Sequence, residues 1–155
     1  MPETVVRRLE LDVSYAARRP WVPSPRQLAV WATAALAPNR RPTVLSVRVV
    51  GRSRSRSLNA HYRHKDKPTN VLSFGGAGTV PDGRYFLGEL VICAPVVAQE
   101  ARTQGKTVQS HWAHMTVHGV LHLQGFDHER EAEAAKMAAR EIQILDRLGF
   151  SDPYR

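Results

Sequence analysis

Apolar and polar residues alternate along this chain with two different periods, and the change of period predicts its elements. In residues 4–14, TVVRRLELDVS, apolar side chains partly alternate with polar ones, the pattern of a strand with one covered face. Ser24 followed by Pro25 marks a helix start, because a hydroxyl at the N-cap precedes a first-turn residue that needs no amide donor. That helix is expected to run to about Ala37. TVLSVRVV at 43–50, bounded by Pro42 and Gly51, predicts a second strand. GRSRSRSLNAHYR predicts a helix from about Ser53, with Leu58 and Tyr62 on one face a turn apart. VLSF at 71–74 and FLGELVIC at 86–93 predict a third and a fourth strand, with GGAGTVPDGR between them as a flexible turn region. After Pro95 the period is helical throughout, with helices expected over roughly 95–104, 107–124 and 129–148. Gly105, Gly125 and Gly149 stand at their ends. Strands early and helices late predict one compact α+β domain over residues 1–155 rather than a regularly alternating Rossmann-type sheet.

With 43% hydrophobic and 23% charged residues in 155, the chain can bury a core of one domain. Its longest apolar stretch, LAVWATAALA at 28–37, falls short of the roughly 20 residues that span a bilayer, so no membrane crossing is expected. Cys93 is the only cysteine, which excludes an intramolecular disulfide and a cysteine-based zinc finger and suits a reducing compartment. The N-terminus shows no secretory pattern, so a cytoplasmic location is expected. There is no GxGxxG or Walker loop, which argues against nucleotide-cofactor and P-loop chemistry. The net charge of +8 is unevenly placed. Residues 1–63 hold twelve arginines against three acids, while residues 64–155 hold ten basic side chains against eleven acids. Arginine forks match phosphate oxygens two at a time, so the basic half favours a nucleic-acid partner, although a solvated face has the same composition. Arg52, Arg54 and Arg56 of the RSRSRS run are the candidates to track an RNA backbone.

The histidines change the picture most. Of seven, four lie within 111–122 and a fifth is His128. At about 100° per residue, His111, His118 and His122 fall within about 40° of one another on a helix, with His114 about 60° off the stripe. His118 and His122 therefore share a face one turn apart, where two imidazoles can converge on a cation at about 2.0–2.1 Å. Gly125 can take the left-handed conformation that ends a helix and turns the chain back, returning His128 toward the same point. Three imidazoles with a fourth position left to water are the mark of a catalytic zinc site, whereas a structural site is closed. The spacing equals that of the metzincin proteases, HExxHxxGxxH, but Gly119 stands where their general-base glutamate would be. A peptidase built this way lacks its base. A metal acting as Lewis acid suits attack on a phosphodiester held by cations.

The string HGVLHLQGFDH at 118–128 resembles the signature of the YbeY family, bacterial endoribonucleases of rRNA maturation and ribosome quality control. LNAHYRHKDKPTNVLSF at 58–74, GELVIC at 88–93 and HWAHMTVHG at 111–119 are similar to further blocks of that family in the same order, covering about residues 45–150. The resemblance implies an α+β fold with a small mixed sheet of about four strands packed with about five helices, and a metal site at a helix end in a cleft. It implies one zinc ion per chain held by His118, His122 and His128, and Arg63 as the functional arginine beside it, so that Arg63, His118 and His122 carry catalysis. The activity implied is single-strand-selective, metal-dependent cleavage in 16S rRNA 3′-end maturation, with rRNA and ribosomal subunits as partners and a ribosomal protein as a further candidate contact. Val120, Phe126 and Glu89 depart from the Ser, Tyr and Asp of the commoner pattern. Asp127 could orient an imidazole or cap the last helix, and His114 could meet substrate or be sealed against the core. Asn59, Asp66 and Thr69 are expected to fix a loop. Two other readings stay open on residues alone: a ribosome-associated RNA-binding factor with a structural zinc, and a hydrolase of another electrophile such as a peptide.

Overall fold

The computed structural model describes residues 8–38, 41–126 and 130–155. Among them the alternating stretch near the N-terminus forms β1, Leu9–Tyr15, whose odd-numbered residues Leu9, Leu11, Val13 and Tyr15 are half-buried and whose even-numbered ones face solvent. Helix α1, Pro25–Ala35, begins as its sequence predicts. Ser24 accepts from the Gln27 backbone amide, and the Gln27 side chain accepts from the Ser24 amide, a reciprocal capping box with Pro25 in the first turn. Then follow β2 (Thr43–Val50), α2 (Arg52–Arg63), β3 (Val71–Thr79), β4 (Tyr85–Cys93), α3 (Ala94–Gln104), α4 (Val108–Leu123) and α5 (Glu131–Arg147).

The four strands make one mixed sheet in the order β1-β2-β4-β3, with β1, β2 and β4 parallel and β3 antiparallel at the edge. With five helices this is an α+β fold, as expected. Alternation along β4 assigns its side chains to two faces. Leu90 and Ile92 join Leu28 and Trp31 of α1, Trp112 and Leu121 of α4 and Ile144 and Leu145 of α5 in the main core. Val91 and Cys93 join Val50 and Leu72 in a smaller cluster that Leu58 of α2 covers. Helix α4 runs through the main core, and every residue from His111 to Leu121 is buried except His118.

Residues 75–84 are not all turn, because Gly75–Thr79 continue β3 and pair with Tyr85–Gly88 of β4. Ladder bonds from β4 outweigh the low strand propensity of glycine. The register slips between Gly75 and Gly78, and there a Cβ on Gly76 would lie 2.4 Å from the Phe86 carbonyl oxygen. The turn itself is confined to the residues around Asp82, whose carboxylate accepts from the Arg84 amide at 3.0 Å.

Gly119 explains the departure from the protease pattern. It faces β4, where a Cβ would come 2.7 Å from Leu90 Cδ2. Position 119 is occupied by helix-to-sheet packing and cannot present a carboxylate to a metal. Gly119→Ala is expected to destabilise the fold by about 1–3 kcal/mol through overpacking. The measurement is the urea midpoint, and an unchanged midpoint would mean that Leu90 yields at no cost.

Candidate active site

Arg63 owes its position to the anchoring of α2. The buried side of this helix carries Ser55 and Asn59 rather than a full apolar stripe. Ser55 Oγ donates to the Thr69 carbonyl at 3.0 Å and accepts from the Thr69 amide at 2.9 Å, while Asn59 Nδ2 donates to the Lys67 carbonyl at 2.8 Å. Arg56 holds Asp66 with two bonds of 2.7 and 3.0 Å. Asn59, Asp66 and Thr69 thus all fasten the segment that follows the helix. His64 ends α2 in the left-handed conformation at φ 59°, its amide bonded to the Ala60 carbonyl at 3.1 Å. Arg63 is consequently presented from a pinned helix end.

Helix α4 ends as the sequence requires. The Gly125 amide bonds to the His122 carbonyl at 3.0 Å and the Phe126 amide to the Leu121 carbonyl at 3.2 Å, with Gly125 at φ +100°. These two bonds form a Schellman cap, and the residue that reverses the chain must tolerate positive φ. His118 and His122 sit on the last two turns, His122 exposed and His118 half-buried. Both line one cleft of about 580 Å³ with Arg63, Tyr62 and the strand residues Val71–Phe74. His128 and Asp127 lie outside the described residues.

Behind His118 lies a residue that sequence reasoning missed. Glu141 of α5 is fully buried and receives three contacts. His118 Nδ1 lies 2.5 Å from its Oε1, His114 Nε2 lies 3.2 Å from its Oε2, and the Tyr154 hydroxyl donates to the same Oε2. Burial alone would raise the Glu141 pKa, but the hydrogen bonds from His114, His118 and Tyr154 outweigh it and hold the carboxyl at about 2. Being ionised, the carboxylate accepts only, so His118 carries its ring proton on Nδ1 and turns its Nε2 edge to the cleft. Burial and the Glu141 charge push the Tyr154 hydroxyl up, which keeps it a donor. His114 is sealed against the core and faces Glu141.

Among the described residues, His114, His118 and Glu141 bring ligand atoms within 4.8 Å of one another, a cluster that could hold a metal ion. The 2.5 Å between His118 Nδ1 and Glu141 Oε1 is a hydrogen-bond separation. Two ligands on one tetrahedral ion at about 2.05 Å would stand about 3.3 Å apart. Glu141 therefore acts on His118 from behind, as carboxylates do with metal-bound imidazoles.

The remaining candidates fall elsewhere. His111 is buried and lies 2.8 Å from Glu100, whose carboxyl is raised by burial but lowered further by bonds from His111 and Asn70. Arg52, Arg54 and Arg56 are exposed on α2, Arg52 bonding Gln99 at 2.9 Å and Arg56 committed to Asp66. Of the three departures from the family pattern, Val120 is fully buried, Phe126 packs against the main core, and Glu89 pairs with Arg48 at 3.0 Å. None of the three side chains lines the cleft.

The family model described as Endoribonuclease YbeY matches residues 25–149. The chain belongs to the YbeY family. Two relatives named Endoribonuclease YbeY, from Stenotrophomonas maltophilia strains R551-3 and K279a, are each 49% identical over 153 residues. Each alignment covers 95% of this chain and 94% of the relative. A solution structure of a Thermotoga maritima protein superposes with a TM-score of 0.59 at 20% identity, over 90% of this chain and 89% of that one. That likeness is one of fold. Both family blocks quoted from the sequence, the one ending in Phe74 and the one starting at His118, contribute to the same cleft.

Proposed function

We propose that the chain is a metal-dependent endoribonuclease that cleaves single-stranded rRNA, at the 16S 3′ end, in the cleft between α2, β3 and α4. The observation that carries this reading is the meeting of Arg63 with His118 and His122 in one cleft, with His118 locked into a metal-ready tautomer by a buried carboxylate. His118 and His122 are assigned as ligands of one zinc ion, with His128 as the third. Bound there, the ion would supply a Lewis acid for a phosphoryl oxygen. Arg63 holds the phosphate from the opposite wall and stabilises charge that builds on its oxygens. Glu141 keeps the His118 proton at Nδ1. The basic N-terminal half draws the RNA in, and the ribosomal subunits are its partners in the cytoplasm, with a ribosomal protein as a candidate contact. No helix among the described residues is long and apolar enough to cross a membrane.

Arg63→Glu should lower turnover of a single-stranded 16S 3′-end RNA by about 10²-fold or more while elemental analysis still finds one zinc per chain. Zinc loss in that variant would make Arg63 a structural residue and remove it from the mechanism. RNA affinity of the wild type should fall linearly on a log–log plot as salt rises, since arginines displace condensed counterions. A flat profile would contradict the role assigned to the basic half.

A further inference from the structure

Tyr62 precedes Arg63 on the last turn of α2, lines the same cleft, and is 57% exposed, the most exposed large hydrophobic side chain among the described residues. It is also held in place. Phe74 of the edge strand β3 packs against its ring with centroids 5.0 Å apart at 67°, and His61 packs at 4.6 Å and 88°. Both neighbours meet it edge to face, so neither covers it by parallel stacking. The ring is oriented by this packing, stays more than half exposed, and lines the cleft together with Arg63, His118 and His122.

We infer that Tyr62, braced by Phe74, is a stacking platform for one unpaired nucleobase of the RNA strand, next to the nucleotide whose phosphate Arg63 holds. Every base has a π-face, so such a platform tolerates sequence. A base paired within a duplex cannot offer its face without leaving the stack, so the platform is also a filter that admits single strands. The inference rests on the endoribonuclease reading of the cleft and supplies a physical source for its strand selectivity. Phe74 acts here as a positioning residue, and its influence on RNA passes through the Tyr62 ring.

The test uses the full-length zinc-loaded protein and a single-stranded RNA hexamer carrying one 2-aminopurine, followed by stopped-flow fluorescence before turnover and by steady-state kinetics. Tyr62→Leu keeps apolar contact with Phe74 but removes the π-face. It should lose the rapid quenching of 2-aminopurine, raise KM about tenfold or more with a smaller change in kcat, and narrow the preference for single strand over duplex. Tyr62→Phe retains the ring and should restore quenching and KM. Wild-type quenching and KM in Tyr62→Leu overturn the platform while leaving the endoribonuclease reading intact, and so does a Tyr62→Phe protein as impaired as Tyr62→Leu, which would assign the effect to the hydroxyl. A wild-type protein that neither binds nor cuts the hexamer would instead overturn the reading of the cleft itself.

Discussion

His122→Ala should abolish RNA cleavage, by roughly 10³-fold or more, and leave the metal-free fold as it was. The two halves of this expectation have separate physical grounds. His122 is exposed on the last turn of α4, and surface substitutions away from packed features usually change stability by less than about 0.5 kcal/mol. Its side chain adds little to the core that Trp112 and Leu121 build from the same helix. The chemistry is less tolerant. On the proposed three-histidine assignment, one imidazole fewer would leave the ion two protein ligands, too few to hold it against water, and phosphodiester cleavage would lose its Lewis acid. Thermal unfolding of metal-free wild type and variant should coincide, while zinc should raise the midpoint of the wild type alone by binding only the folded state. A variant that still cleaves at the wild-type rate in a nuclease-free preparation would remove His122 from the site. One that unfolds well below the metal-free wild type would give it a structural role that its exposure does not suggest.

How far the sequence foretold this arrangement depends on whether each feature is local. The start of α1 was legible because Ser24, Pro25 and Gln27 solve the capping problem within four residues. The reversal at Gly125 was legible for the same reason, since a Schellman cap is closed by bonds no more than five residues apart. The extension of β3 through Gly75–Thr79 was hidden, because its stabilising bonds come from β4 and glycine-rich sequence by itself reads as turn. The four-residue spacing of Leu58 and Tyr62 marks one helix face, but shared spacing does not show which side is covered. Leu58 packs over the smaller cluster while Tyr62 faces the cleft. Glu141 is the most instructive case. Met137, Glu141, Ile144 and Leu145 are the buried residues of α5, so a carboxylate occupies a place on an otherwise apolar stripe. That pattern is visible in the sequence and signals a buried charge needing partners. The partners themselves, His114, His118 and Tyr154, come from α4 and the C-terminal tail and emerge only on folding.

Glu141→Gln should weaken zinc binding by about 10–100-fold without removing any of the three imidazoles proposed to hold the ion. The carboxylate accepts from His118 Nδ1, His114 Nε2 and the Tyr154 hydroxyl, all donors. An amide of the same shape brings one oxygen and one NH2 group into a space arranged for acceptors only. If the NH2 faces His118, the ring must move its proton to Nε2, the nitrogen that would meet the ion, and ligation is blocked. If the amide flips, the NH2 confronts the two donors on the other side, and His118 loses the full negative charge that raises its basicity. Either arrangement costs affinity, which competition with a chromophoric chelator measures on the folded apoprotein. The stability that ionised Glu141 contributes is present above the ordinary carboxyl pKa of 4.5 and lost as pH falls toward about 2, so the variant should unfold with a weaker dependence on acid over that window. Tyr154→Phe removes one of the three donors and leaves the charge in place, and it should loosen the C-terminal tail while changing zinc affinity much less. Equal affinities for wild type and a folded Glu141→Gln protein would show that His118 needs no carboxylate behind it. A loss in Tyr154→Phe as large as in Glu141→Gln would shift the controlling element from the charge of Glu141 to the docking of the tail.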